Sequence, residues 1–380
     1  MEALRGLIEW APLGLPAWLF MITVIVFIHE LGHFSVARAC GVKIETFSIG
    51  FGRAIASWHD RHGTRWKIGW LPIGGYVKFF GDLDASSQPD REHVESLPEE
   101  ERKLTLQAKP LWQRAAIVAA GPVANFLLAF VVLTGLYAIA GERVIATQIK
   151  AVTPNSPAAE AGLRPGDKIV ALDGHKVTYF AELHPTLEHG KGRALPITLE
   201  RAGRQVNLTV RPRSFVTKDL LGTPTTIVGI GIEPDVENPA NLISVPIPLW
   251  EAPVDAAAQC WAITDLSLTY VWRIFAGRAD TTQMSGTLGM AKAAKSAASH
   301  GPFEFISLIA LISVSLGLIN LFPIPVLDGG HLLYYGCEAI LGRPLGERVQ
   351  EAGFRVGLVV VLGLMIFSVW NDLAHHLNLF

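Results

Sequence analysis

The stretch "FIHELGHFSV", residues 27–36, decides how this chain is read, because it follows the almost wholly apolar "LPAWLFMITVIV" (15–26) without a break. Two histidines and a glutamate thus interrupt what otherwise has the length and composition of a membrane span. Placing an ionisable side chain at the bilayer centre costs about 2.5–3.5 kcal/mol on insertion scales, so such groups face a protein-lined cavity and serve a function. A proton relay or an ion path is one such function, and a metal site is another. The run could also be a cleaved secretory signal, since "ARA" (37–39) resembles a small-residue cleavage site. Its length, and the polar residues His29, Glu30 and His33 in its final third, argue against that.

Composition points the same way. Of 380 residues, 50% are hydrophobic and 17% charged, with a formal net charge of -2, which is the profile of a membrane protein and excludes a basic face for nucleic acid. The three cysteines, Cys40, Cys260 and Cys337, lack any CxxC spacing, so a metal would need other ligands. Apolar runs long enough to cross about 30 Å of hydrocarbon occur near 15–37, 113–140, 303–322 and 354–371. A fifth stretch, 254–276, carries Gln259, Asp265 and several hydroxyl residues, and reads instead as an amphipathic helix lying on the membrane surface.

Between the first two spans, "KIETFSIGFG" and "RWKIGWLPIGGYVKFF" alternate as β-strands do, with Gly and Pro turns, in a Lys- and Arg-rich segment that the positive-inside tendency assigns to the cytoplasm. The acidic "DLDASSQPDREHVESLPEEERK" that follows reads as mobile. After the second span, "SPAAEAGLRPGDKIVALDGHKV" (156–177) spells a short helix, a turn, a strand and a DG hairpin turn. It resembles a PDZ domain, with "LPITLERAGRQVNLTVRP" supplying two more strands and "IVGIGI" (227–232) the strand beside a peptide groove. PDZ domains bind peptides by strand addition.

HExxH on a helix puts two imidazoles one turn apart on one face with a glutamate beside them, which suits two zinc ligands and a general base. Catalytic zinc takes three protein ligands, so one is missing. The best source follows the third span, in "LINLFPIPVLDGGH" (318–331). Pro323 and Pro325 break the helix there, freeing backbone that is tolerated at membrane depth only where it lines a cavity or is buried in protein. Asp328 lies just beyond, flanked by Gly329 and Gly330, and His331 is a rival ligand. With three spans crossing in succession, the first and third run parallel and Asp328 meets His29 and His33. Were 254–276 also a span, the ligands would lie on opposite faces, so the zinc reading requires four spans.

HELGH in a first span, "AAGPVANF" (119–126) in a second, a PDZ-like insert and "NLFPIPVLDGG" (320–330) after a third together resemble the site-2 protease family of intramembrane zinc metalloproteases, most closely its bacterial RseP type, the regulator of sigma-E protease. The resemblance spans nearly the whole chain. It implies that His29, His33 and Asp328 hold one Zn2+ and that Glu30 is the catalytic base. It also implies that Asn320, Gly74, Gly75 and Asn125 bind substrate, and that Gly121, Pro122, Pro323 and Pro325 shape the site. RseP-type enzymes carry two tandem PDZ domains, whereas one copy is legible here.

The implied fold is a polytopic α-helical membrane protein of four transmembrane helices, with a membrane-associated β-hairpin element and an inserted PDZ-like α+β domain. It divides into a first span with HELGH (1–40), a cytoplasmic-side β-element (41–111), a second span (112–141), the PDZ-like domain on the periplasmic side (142–236), an amphipathic helical linker (237–302), a third span with the ligand segment (303–335), and a fourth span with the tail (336–380). The implied substrates are single-pass membrane proteins such as a trimmed anti-sigma factor, and remnant signal peptides, cut at a site facing the cytoplasm in a bacterial inner membrane. Membrane lipid and a peptide ligand of the PDZ-like domain are the other implied partners. Two rivals stay open: a membrane-anchored PDZ scaffold with a dead HELGH, which has no need of Glu30, and a metal or proton transporter, which would call for more ionisable residues in the spans.

Overall fold

The structure, a computed structural model, describes residues 2–83, 94, 96–218, 224–236, 238–277 and 286–376. Half of the acidic stretch expected to be mobile, residues 84–93 and 95, lies outside them, and its described end forms a short helix, Glu99–Arg102. Two compact units emerge, one of Met1–Thr134, Pro253–Leu268 and Thr282–Phe380, the other of Gly135–Ala252 and Thr269–Thr281.

The first unit opens with helix α1 (Glu2–Ala39), followed by strands β1 (Ile44–His59) and β2 (Arg65–Phe79) and helix α2 (Leu111–Ala140). The β-element is more folded than a hairpin. Residues 54–59 pair with 65–69, and 44–49 pair both with 65–68 and with 75–79, so two bent strands make four adjoining segments. The bends sit at Gly50 and Gly52, both with φ near +80°, and at Gly69; a side chain added at Gly50 or Gly69 would fall on the facing backbone, and one at Gly52 on the Trp70 ring. Phe34 of α1 packs on Phe47 and Trp66 of this sheet at centroid distances of 5.3 and 5.2 Å, burying an aromatic cluster that seats the C-terminal end of α1 on the strands.

The second unit contains β3 (Glu142–Ile145), β4 (Ile149–Val152), α3 (Pro157–Ala161), β5 (Lys168–Leu172), β6 (His175–Lys176), α4 (Leu183–His189), β7 (Leu195–Arg201), β8 (Arg204–Val210), β9 (Arg213–Lys218), β10 (Pro224–Gly229), β11 (Ile232–Pro234) and β12 (Leu242–Val245). A sheet in the order β6-β5-β7-β8 covers a core of Ile149, Ile169, Leu172, Leu195, Ile197 and Leu199. The helix, the turn, the strand and the DG turn fall where the sequence placed them. "IVGIGI" does not form one strand: it breaks at Gly231, φ +79°, between β10, which pairs with β9, and β11, which pairs with β4. The unit also runs past residue 236. β12 pairs with β3 and ties the end of the insert to its beginning, a long-range pairing that four apolar-leaning residues do not announce. One copy of this insert is present among the described residues.

Within that unit, Arg201 donates Nε and Nη2 to the two oxygens of buried Asp167, each at 2.7 Å, and the Arg164 amide donates at 2.8 Å. Burial, the largest influence, raises the Asp167 carboxyl, but these donors outweigh it and hold the pKa below the ordinary value. A depressed folded pKa means the stabilisation is present above the unfolded value of about 3.9 and is lost as pH falls through the folded one. Melting of this unit in the wild-type chain should therefore drop more on acidification below about pH 5 than in Asp167→Asn. Equal slopes in calorimetric scans would remove the pair from the account.

Helices α5 (Ala252–Phe275), α6 (Thr287–His300), α7 (Pro302–Asn320), α8 (Asp328–Leu341) and α9 (Glu347–His376) follow. Among the described residues four helical stretches are long and apolar enough to cross a membrane: Pro12–Ala39, Leu111–Ala140, Pro302–Asn320 and Arg348–Asp372. The 254–276 stretch is a helix that does not qualify, as expected. The segment read as a linker is more than that. The α6 helix lays Ala291 and Ala294 into the first unit, where Ala294 joins Met21, Ile25 and Ile309 in a buried cluster. Asp372 of α9 accepts from the Gly286, Leu288 and Gly289 amides at 2.9–3.2 Å, placing a carboxylate at the positive end of α6. Alanines spaced by three give little hydropathy signal, so this packing is invisible in composition.

Candidate metal centre

His29 and His33 lie one turn apart on α1, and Asp328 is the first residue of α8, at the helix N-terminus where a carboxylate is favoured. Together they are the group of potential metal ligands found among the described residues. His29 Nε2 is 3.2 Å from His33 Nε2 and 3.2 Å from Asp328 Oδ2, while His33 Nε2 is 3.5 Å from that oxygen. Ligands held tetrahedrally at 2.0–2.1 Å from zinc are separated by 1.63 bond lengths, about 3.3–3.4 Å. The triangle has the size of one face of that tetrahedron.

Its surroundings fix the donors. His33 Nδ1 lies 2.9 Å from the Ile117 carbonyl of α2, which makes Nδ1 the protonated nitrogen and turns the Nε2 lone pair inward. Asp328 Oδ2 is buried without a hydrogen-bond donor. Two imidazole lone pairs and a carboxylate oxygen facing one another at this distance repel unless a cation lies among them, so the donor set fits a divalent metal.

Asn125, which the resemblance implies to bind substrate, lies against the ligand His29. Its side chain is fully buried, with Nδ2 3.3 Å from His29 Nδ1 and Oδ1 without a partner. Rotating the amide by half a turn exchanges the two atoms, so that Oδ1 accepts from His29 Nδ1–H and the orphan disappears. Asn125 therefore orients His29, as Ile117 orients His33. In turn its backbone carbonyl accepts from Ser313 of α7 at 2.9 Å.

Glycines set how closely these helices approach. A side chain on Gly121 would fall on the His33 imidazole, one on Gly32 on the Ala120 carbonyl, and one on Gly317 against Pro122 and Asn125. Pro122 withholds an amide from the helical ladder beside Ile117. After α7 the chain breaks at Pro323 and Pro325, and the backbone turns back so tightly that side chains on Gly329 or Gly330 would overlap the carbonyls of 321–324. Ser313, Gly317 and Gly32 were not singled out from sequence, although small residues spaced by four in an apolar helix are the usual sign of close packing in membranes.

Glu30 lies within electrostatic reach of all three ligands and faces the Val77 backbone of β2. Gly75 brings that strand close: a Cβ there would sit 3.1 Å from the Glu30 side chain and 2.8 Å from the Ser48 carbonyl. Gly74 has φ +128° and packs against Phe51. Asn320 is the last residue of α7 and is partly buried. His331, the rival ligand, does not join the triangle.

Residues 17–364 match peptidase family M50. Two proteins named "Putative zinc metalloprotease" are similar to this chain: one from Agrobacterium fabrum, 40% identical over 94% of both chains, and one from Mesorhizobium japonicum, 42% identical over 94% of this chain and 97% of its own. "Metalloprotease MmpA" of Caulobacter vibrioides is 36% identical over 94% of both. Among solved structures, the PDZ domain of an SdrC-like protein from Listeria innocua is 24% identical over 24% of this chain and 93% of its own, with a TM-score of 0.19.

Proposed function

This chain belongs to peptidase family M50, the site-2 proteases, and from that premise we propose that it hydrolyses peptide bonds within or beside the membrane-spanning helix of single-pass proteins. The coarser statement, a zinc metalloprotease of a membrane-embedded family, follows from the membership itself. The observation that carries the finer reading is the ligand triangle built on helices apolar enough to span a bilayer.

His29, His33 and Asp328 would hold zinc, one ion per chain, and the metal would supply Lewis-acid chemistry toward water and the scissile carbonyl there. Glu30 accepts the proton of the attacking water and delivers it to the leaving amine. Asn125 and the Ile117 carbonyl keep both imidazoles aimed inward throughout. A helical substrate hides its carbonyls in internal hydrogen bonds, so it unwinds before attack. The 75–79 segment pairs only with β1 among the described residues, which leaves its other edge to take up the unwound peptide by main-chain hydrogen bonds. Gly74 and Gly75 keep that strand free of side chains beside Glu30, and Asn320 contacts the peptide near the scissile bond.

The substrates proposed are an anti-sigma factor already trimmed outside the cytoplasm, in a sigma-E type stress response, and remnant signal peptides. The setting is a bacterial inner membrane, with the PDZ-like domain periplasmic, where it binds peptide ends, and the site toward the cytoplasm, as the Lys- and Arg-rich 41–111 segment favours.

The test reconstitutes the full chain in lipid vesicles with a single-span substrate. Cleavage should stop on chelation, return with zinc at one ion per chain, and be faster for a substrate lacking its extracytoplasmic domain. A chain that holds no divalent metal would refute the metalloprotease reading. Cleavage confined to soluble polypeptides would refute the intramembrane one.

A further inference from the structure

We infer that Arg114 and Glu338 form a lock that fixes the position of α8 along α2 and so holds Asp328 at the depth of the two histidines; they are positioning residues, and their role rests on the metal-centre reading. Arg114, in the first turn of α2, donates Nη1 and Nη2 to the two carboxylate oxygens of Glu338 at 3.1 and 2.5 Å. Its guanidinium also lies 5.0 Å from the centre of the Tyr335 ring. Both ionic side chains are only 16% exposed. Arg114 Nε is buried without a partner, so the pair carries an unrelieved desolvation penalty.

A buried ion pair is a poor device for stability alone, because an apolar pair of the same volume does as well or better. Its best-attested use is to fix one register among several. The placement here matches that use. On α2 the residues at 114, 117, 121 and 125 share one helical face, and they are the ion-pair arginine, the acceptor for His33, the glycine under its ring and the amide on His29. On α8 the residues at 328, 335 and 338 share a face in the same way, running from the metal ligand to the ion-pair glutamate. The two faces are joined at the end distal to the ligands, about 15 Å along α8 from Asp328 at 1.5 Å per residue.

The near end of α8 is held by backbone packing and not by a charged pair: Gly329 and Gly330, its second and third residues, are buried against the carbonyls of 321–324, and the Gly330 amide donates to the Leu327 carbonyl at 3.0 Å. A turn of helical slip would move Asp328 by about 5.4 Å, whereas metal ligands tolerate displacements of about 0.2 Å. The forked Arg–Glu contact, stacked on Tyr335, permits one register.

The experiment measures zinc affinity of the detergent-solubilised full chain by competition with a chromophoric chelator, together with the visible spectrum of the Co2+-loaded protein. Glu338→Gln is expected to bind zinc about 10–100-fold more weakly, the usual cost of losing an outer support of a metal ligand, and to shift the cobalt bands. Arg114→Lys, which keeps the charge but loses the fork, should fall between the two. The exchanged pair Arg114→Glu with Glu338→Arg should recover most of the affinity. Arg38→Gln is the comparator: it breaks another ion pair of the same unit, Arg38 with Asp60 at 2.5 Å, and should leave zinc affinity unchanged. The inference falls if Glu338→Gln keeps wild-type affinity and cobalt spectrum while losing only thermal stability, or if Arg38→Gln weakens zinc equally. Absence of zinc from the wild type is a separate result, which overturns the metal centre itself.

Discussion

Exchanging Glu30 for glutamine should leave zinc bound and reduce cleavage by about 10²–10⁴-fold, the range a general acid–base group contributes. The carboxylate is not a member of the ligand triangle, so its loss does not empty the site. Glutamine keeps the shape beside Gly75 and the Val77 backbone but cannot accept the proton of the attacking water or return it to the amine. Single-turnover cleavage in vesicles, paired with metal analysis of the same sample, separates the two effects. Cleavage at the wild-type rate by a zinc-loaded Glu30→Gln chain would remove Glu30 from the chemistry. Loss of zinc would make it a ligand support instead.

Gly121→Ala is expected to be as damaging for a different reason. A single methyl at this position occupies space now held by the His33 imidazole, so the ring swings away, its hydrogen bond to the Ile117 carbonyl breaks and a ligand is lost. Zinc affinity should fall by at least about 100-fold, the upper end of what disturbing a ligand's support costs. Gly135→Ala supplies the control, since it lies on the same helix with nothing within 4 Å of its Cβ. Both changes gain about 1 kcal/mol of helix propensity, so their difference isolates the overlap with His33. Equal zinc affinities measured by chelator competition would mean that the His33 ring does not lie over Gly121.

Much of the site is legible in the sequence because its chemistry is local or costly. HELGH states its geometry through helical spacing, and Asp328 is betrayed by prolines and glycines that an apolar span would otherwise exclude. The four helices long and apolar enough to cross a membrane are legible from length and hydropathy, and the helix at 254–276 is separated from them by its polar residues. What the sequence hides is pairing across distance. Asn125 looks like any motif asparagine until its amide is seen against His29. The bent four-segment sheet follows from glycines whose partners are known only once the strands meet. The α6 helix, rich in alanine and lysine, has too little apolar character to show that two of its alanines are buried in the first unit, and β12 is too short to show that it closes the insert.

The ligand triangle joins the two ends of the chain, since its histidines come early and its aspartate arrives only after the insert and the third apolar helix have been made. Closing so long a loop is slow and is rewarded only when the final contacts form. A ribosome-bound chain therefore holds HELGH for most of its synthesis without the third ligand. Until Asp328 arrives the two histidines make up only part of the ligand set that catalytic zinc takes, so the metal centre is completed by the last long-range contacts of folding.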